Sequence, residues 1–361
     1  MELKNAEASD HDILNELKLF DDSKAGVRGL VASGVSKIPR FFIHPADKLP
    51  KADAQLDLPV ISLEGFQHAN RRAEIVAGIG EACEKWGFFR ITEHGVPEAA
   101  TDAVLEVTRQ FHEQPKEMKA EFYTRDLKRR VKYYSSLDLF VTKIGQWRDT
   151  VTCDFDDGVV DRQGLPSVMR EAIEEYVECL NKLKKLLSEL LSEALGLNSD
   201  HLASLRCFET QKLSCHYYPP CPEPKLTLGT SKHSDPNFLT VLLQDSIGAL
   251  QILHENKWMD VPPKKGSLLV NVGDLLQLIT NDKFKSVRHR VVANYEGPRV
   301  SVASFFYPRN NELTEPYGPI KQLLSTENPP KYREISTLEF ITYYMSRGLD
   351  GAAILPHFEH Q

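Results

Sequence analysis

The chain has 361 residues, 41 % of them hydrophobic, enough for a sizeable core in one large domain or two. Its formal net charge of −7 excludes a general nucleic-acid binder, because no basic surplus exists to neutralise phosphates. No run reaches the roughly 18 to 20 apolar residues of a membrane helix, so a membrane-spanning chain is excluded as well.

Residues 1–12 are polar and carry several acidic groups, so they read as neither a secretory signal nor an Arg-rich transit peptide. Ile13, Leu14, Leu17 and Phe20 then have helical spacing. Gly26, Gly29 and Gly34 are expected to break regular structure, and Pro39 and Pro45 to keep the segment extended. Residues 58–63 read as a short strand. The apolar face Ile75, Ile79, Ala82, Cys83 and Trp86 predicts a helix over 71–86, ended by Gly87. A second strand over 88–92 follows, and Pro97 opens a helix to about Glu113. The basic run Lys128-Arg129-Arg130-Val131-Lys132 reads as a solvated loop or helix face. A long helix is predicted over 167–195, with Ser167 as N-cap and Gly196 at its end.

From about residue 211 the texture changes to short β-rich runs punctuated by Gly and Pro: 212–218, 238–244, 250–254, 258–261, 267–272, 287–294 and 300–306. Such a series predicts a jelly-roll or barrel. Ser336-Thr337-Leu338-Glu339 is a capping box that opens a last helix, placed over the core as a lid. The fold class expected is therefore α+β, a double-stranded β-helix (jelly-roll) core with an N-terminal helical and strand region. The division expected is 1–205, 206–320 and 321–361. Six cysteines lack disulfide or zinc-knuckle spacing, so reduced thiols, a cytoplasmic location and a monomer are the expectations.

Chemistry concentrates in three places. His233 and Asp235 are two apart, so on an extended segment both side chains point to one face. His289 lies on a distant strand that a double sheet could bring opposite. Two imidazoles and one carboxylate make a facial iron(II) site with three positions open. Ten residues beyond His289, Arg299 and Ser301 share a strand face with Ala303, Phe305 and Tyr307. A guanidinium fork beside a hydroxyl suits a carboxylate-bearing co-substrate.

These residues sit in wider matching text. His233-Ser234-Asp235, then 53 residues (236–288), then His289 and Arg299-Val300-Ser301 are accompanied by Lys85-Trp86-Gly87-Phe88-Phe89 and His94-Gly95-Val96-Pro97. Tyr217-Tyr218-Pro219-Pro220-Cys221-Pro222 and Val270-Asn271-Val272-Gly273-Asp274 continue it. From about residue 12 to 347 the chain resembles the plant iron(II)- and 2-oxoglutarate-dependent dioxygenases. Leu17-Lys18-Leu19-Phe20-Asp21 is similar to the branch of aminocyclopropane-carboxylate oxidase homologues, which includes deacetoxyvindoline and benzoxazinone hydroxylases. The resemblance implies His233, Asp235 and His289 as Fe(II) ligands, and Arg299 and Ser301 as the clamp for the distal carboxylate of 2-oxoglutarate. It implies that Tyr218 hydrogen-bonds the same co-substrate, with O2 as oxidant and ascorbate as reductant. Many relatives carry Asn where this chain has His216, and His216 is expected to keep a co-substrate contact. Phe305, Thr150 and Tyr343 are the candidate substrate contacts, from the sheet, the run Trp147–Thr152 and the lid helix. Hydroxylation of an apolar plant metabolite is the activity expected. Demethylation, desaturation or ring closure by the same chemistry, an ascorbate-dependent oxidase, a non-catalytic binding homologue and a zinc hydrolase are the alternatives.

Overall fold

The computed structural model describes residues 10–45, 49, 52–156 and 159–360, so the polar segment before Asp10 lies outside the described residues. Among the described residues, thirteen strands build two facing sheets. In chain order they are β1 (Ala54–Gln55), β2 (Val60–Ser62), β3 (Phe88–Thr92), β4 (Val131–Ser135), β5 (Asp149–Asp156), β6 (Thr210–Tyr218) and β7 (Leu228–His233). Then follow β8 (Leu239–Gln244), β9 (Leu250–His254), β10 (Lys257–Asp260), β11 (Leu268–Val272), β12 (His289–Val292) and β13 (Arg299–Tyr307). The larger sheet runs β2-β3-β11-β8-β13-β6-β5-β4, and the smaller runs β1-β10-β9-β12-β7.

The larger sheet is covered on both faces, since successive residues of β5, β6 and β13 point to opposite faces and nearly all are buried. Val151, Cys153, Leu213, Cys215, Val302 and Phe306 point one way, into the same apolar cluster as Ile79, Val104, Phe111 and Leu180 of the helices Ala69–Lys85, Glu98–Glu113 and Arg170–Ala194. The opposite face meets the smaller sheet, where Phe88, Tyr218 and Leu269 pack with Leu250, Ile252 and Val291. The α+β jelly-roll expected from the strand series is the fold observed. Where the second face is polar instead of apolar, between the two sheets, a cavity is left.

Most predicted elements are present with their ends shifted by a few residues. The strands at 88–92 and 250–254 fall where expected, and Ser336 accepts a hydrogen bond from the Glu339 amide at 3.1 Å as the N-cap of helix Thr337–Arg347. Two expectations are corrected. Gly26–Ala32 is a helix, not broken chain, because the amides of Val27 and Arg28 donate to the Asp149 carboxylate at 2.8 Å each. Gly26 itself has φ +69°, and a Cβ there would lie 2.5 Å from the Tyr133 hydroxyl. The cap thus comes from 121 residues away and leaves no local signal. The basic run is also split: Lys128 to Arg130 form an exposed turn, whereas Val131 and Lys132 open β4. Lys132 is buried against Asp154 at 2.9 Å, an ion pair across β4 and β5. No helix among the described residues is long and apolar enough to cross a membrane.

Candidate metal and co-substrate site

His233 ends β7 and His289 begins β12, and the antiparallel register places them directly opposite each other. Their ring centroids are 4.2 Å apart. Asp235 follows two residues after His233, and its Oδ1 lies 3.5 Å from Nε2 of each imidazole. Each ring is oriented by its other nitrogen: Nδ1 of His233 donates to the Ser231 carbonyl at 2.8 Å, and Nδ1 of His289 to the Val287 carbonyl at 3.1 Å. That assignment leaves both Nε2 lone pairs facing the shared centre. Oδ2 of Asp235 accepts from Thr240 Oγ1 at 2.7 Å and from Asn271 Nδ2 at 2.8 Å, which leaves Oδ1 for the centre.

Burial, then the neighbouring His289, holds the His233 imidazole below its ordinary range. Burial alone would raise the Asp235 carboxyl, but His289, His233 and its two hydrogen-bond donors outweigh it and keep the group ionised. A donor set of this kind, two neutral imidazoles and one carboxylate with ligand atoms all within 4.8 Å of one another, fits a divalent first-row metal such as Fe(II).

The same cavity of about 220 Å³ is lined by Arg299, Ser301, Ala303, Phe305 and Tyr307, the alternate residues of β13. Arg299 is buried. Its Nη1 donates to Ser301 Oγ at 3.1 Å and its Nη2 to Gln244 Oε1 at 2.9 Å, while Nε is buried with no partner. A cation held only by neutral acceptors is prepared for an anion. Tyr218 pairs with Arg299 across β6 and β13, with the guanidinium 4.9 Å from the phenol ring centre. Burial would raise the phenol, yet Arg148 and Arg299 outweigh it and lower it.

His216 pairs with Ser301 and shares a hydrogen bond of 3.0 Å, through Nδ1, with Thr150 Oγ1. Burial and the positive charges of Arg148 and Arg299 drive its imidazole well below the ordinary range. His216 is therefore a neutral hydrogen-bonding group, and stands in for an amide more closely than its ionisable ring suggests.

The three candidate substrate residues separate. Phe305 lines the cavity. Thr150 is not among the lining residues and stands behind His216. Tyr343 is a correction: it stacks on His357 at 3.9 Å, outside the cavity, and its neighbours Ile341, Tyr344 and Met345 line the wall instead. A helix turns about 100° per residue, so a one-residue error moves a side chain to another face. The sequence placed Arg148 only within the candidate wall run 147–152, from which Thr150 was the residue chosen, and Thr230 was missed. Arg148 carried a signal, since it shares the inward face of an alternating run with Thr150; Thr230, on a strand that went unpredicted, carried none.

Comparison with known proteins agrees with this architecture. Residues 209–308 match the 2OG-Fe(II) oxygenase superfamily, and residues 58–169 match the non-haem dioxygenase in morphine synthesis N-terminal family. The chain is 48 % identical over 342 residues to 1-aminocyclopropane-1-carboxylate oxidase homolog 1 of Arabidopsis thaliana, covering 93 % of this chain and 94 % of that protein. It is 46 % identical to deacetoxyvindoline 4-hydroxylase of Catharanthus roseus, covering 98 % and 91 %. The crystal structure of JOX2 in complex with 2OG, Fe and JA superposes with a TM-score of 0.84 at 32 % identity, covering 93 % and 98 %. The fold and site define a 2-oxoglutarate-dependent dioxygenase, an oxidoreductase that uses iron. Within the 2OG-Fe(II) oxygenase superfamily, the chain belongs to the plant branch of the 1-aminocyclopropane-1-carboxylate oxidase homologues.

Proposed function

We propose that the protein hydroxylates an apolar plant specialised metabolite, with His233, Asp235 and His289 as the Fe(II) ligands. The observation that carries this reading is a single cavity holding both the His233/Asp235/His289 donor set and the Arg299-Ser301 carboxylate clamp. A zinc hydrolase would leave Arg299 and Ser301 without a role. Bound Fe(II) and 2-oxoglutarate supply O2-dependent oxidation of a C–H bond, with release of succinate and CO2.

The chain's own residues do the positioning. Arg299 and Ser301 take the distal carboxylate of 2-oxoglutarate, which gives the partnerless guanidinium Nε a charged neighbour. Tyr218 and the neutral His216 border the same co-substrate from the adjacent strand. Phe305, Leu137, Ile341, Met345 and Leu349 surround the reacting carbon and exclude water. No side chain is assigned as acid or base. Hydroxylation is favoured over demethylation, desaturation or ring closure by the likeness to a 4-hydroxylase. Ascorbate is proposed as reductant. The three-part division at 205/206 and 320/321, a monomeric state and a cytoplasmic location are proposed with it; six free cysteines, five of them buried, support the location.

The test is turnover of plant metabolite fractions by anaerobically Fe(II)-loaded protein after admission of O2. Succinate formed in step with a product 16 mass units heavier is expected, and H233A or D235A should abolish both. Wild-type rates in those variants, or turnover that needs no 2-oxoglutarate, would overturn the reading.

A further inference from the structure

The cavity contains a second guanidinium that the proposed chemistry does not use. Arg148 enters the wall from the residue before β5. Nη1 donates to Thr230 Oγ1 at 2.9 Å and Nη2 to Gln146 Oε1 at 3.2 Å, while Nε is buried with no partner. The pattern repeats that of Arg299: two neutral acceptors, one bare buried nitrogen, and no carboxylate in salt-bridge contact among the described residues.

The two cations serve different ends of Tyr218. Arg299 lies over its ring, whereas Arg148 is joined to its hydroxyl end through Thr230, whose oxygen is 3.3 Å from the phenol oxygen. Gln146 separates Arg148 from the Asp138 carboxylate, accepting from one and donating to Asp138 Oδ1 at 3.2 Å. The other Asp138 oxygen accepts from the Leu349 amide at 2.8 Å. Both of its oxygens are thus engaged elsewhere.

A divalent metal and Asp235, with the dianion 2-oxoglutarate and Arg299, sum to zero. Of the other charged groups that line the cavity, Lys212 faces Asp154 at 4.0 Å and Asp138 lies beyond Gln146, so Arg148 is left without an ion pair on a largely apolar wall, where a poorly matched charge is unfavourable.

We propose that Arg148 binds a carboxylate carried by the otherwise apolar substrate, and so selects acids over neutral analogues and orients them beneath the helix Thr337–Arg347. The proposal rests on the 2-oxoglutarate reading given above and narrows its substrate class to apolar monocarboxylic acids. Arg148 is a specificity-determining residue here, not a catalytic one. The planar fork matters, so lysine should serve only in part.

The test uses cinnamic, 3-phenylpropionic and decanoic acids and their methyl esters, titrated by calorimetry into anaerobic Fe(II)-loaded protein with and without 2-oxoglutarate. Wild type should bind at least one acid about 10- to 100-fold more tightly than its ester. R148Q should lose that preference, R148K should keep part of it, and both should retain wild-type affinity for 2-oxoglutarate and an unchanged melting temperature. Equal binding of acids and esters by wild type, or a preference intact in R148Q, would overturn the proposal. Weakened 2-oxoglutarate binding in R148Q and R148K would also overturn it, by assigning Arg148 to the co-substrate. Failure of 2-oxoglutarate to bind wild type would instead sink the proposed function; the titrations without it still decide whether Arg148 discriminates acids.

Discussion

Asp235 depends on residues that never touch the metal centre. Thr240 and Asn271 hold one carboxylate oxygen, and so aim the other at the two imidazoles. Removing such a partner ordinarily lowers metal affinity about 10- to 100-fold. N271A is expected to show that loss for Fe(II) in competition with a chelator, with the fold intact by circular dichroism. A second buried residue governs pH response. His112 donates from Nε2 to the Cys215 carbonyl at 3.2 Å and stacks on Tyr217, and burial pushes its imidazole down to about 3. Its ordinary value is about 6.5, so the unfolded chain takes up a proton that the folded chain refuses. The stability this group contributes is full above about pH 6.5 and is lost as pH falls towards 3. Urea titrations of wild type and H112Q across that window should diverge, wild type losing more stability on acidification. Parallel curves would show that His112 does not titrate on unfolding.

At the scale of elements, the site is closed by a contact between distant parts of the chain. The helix Thr337–Arg347 contributes Ile341, Tyr344 and Met345 to the cavity, and the segment after it is tied down by the Leu349 amide on Asp138. The fit is close at Gly348, where a Cβ would lie 2.8 Å from Thr142 Cγ2. D138A should free the Leu349 amide at a cost of about 1–3 kcal/mol. The expected readout is faster hydrogen exchange over residues 337–349, with exchange in β7 and β12 unchanged. Protection equal to wild type would mean that apolar packing alone holds the cover.

For the whole molecule, the larger sheet separates stability from function by facing helices on one side and the cavity on the other. Leu180 lies in the middle of helix Arg170–Ala194, fully buried and remote from the site. L180A should cost about 2–5 kcal/mol in urea unfolding. The folded fraction should bind 2-oxoglutarate as wild type does, because β13 presents opposite faces to the two layers. A parallel loss of 2-oxoglutarate affinity would show that the helical layer sets the clamp geometry.

The sequence by itself determined a good deal. Period-two and helical patterns located most strands and the long helices, because burial imposes those periods wherever one face is dry. His233 with Asp235, and Arg299 with Ser301, were legible because residues two apart on extended chain share a face, whereas the pairing of β7 with β12 is what brings His289 to the first pair. What only the tertiary structure decided depends on partners far apart in the chain. The helix Gly26–Ala32 exists through a carboxylate from β5, Lys132 is buried because Asp154 meets it, and Tyr343 yields its place to Tyr344 through helix rotation. Arg148 belongs to this second group. Its charge is visible in the sequence, but its lack of a direct ion pair is a property of the folded cavity alone.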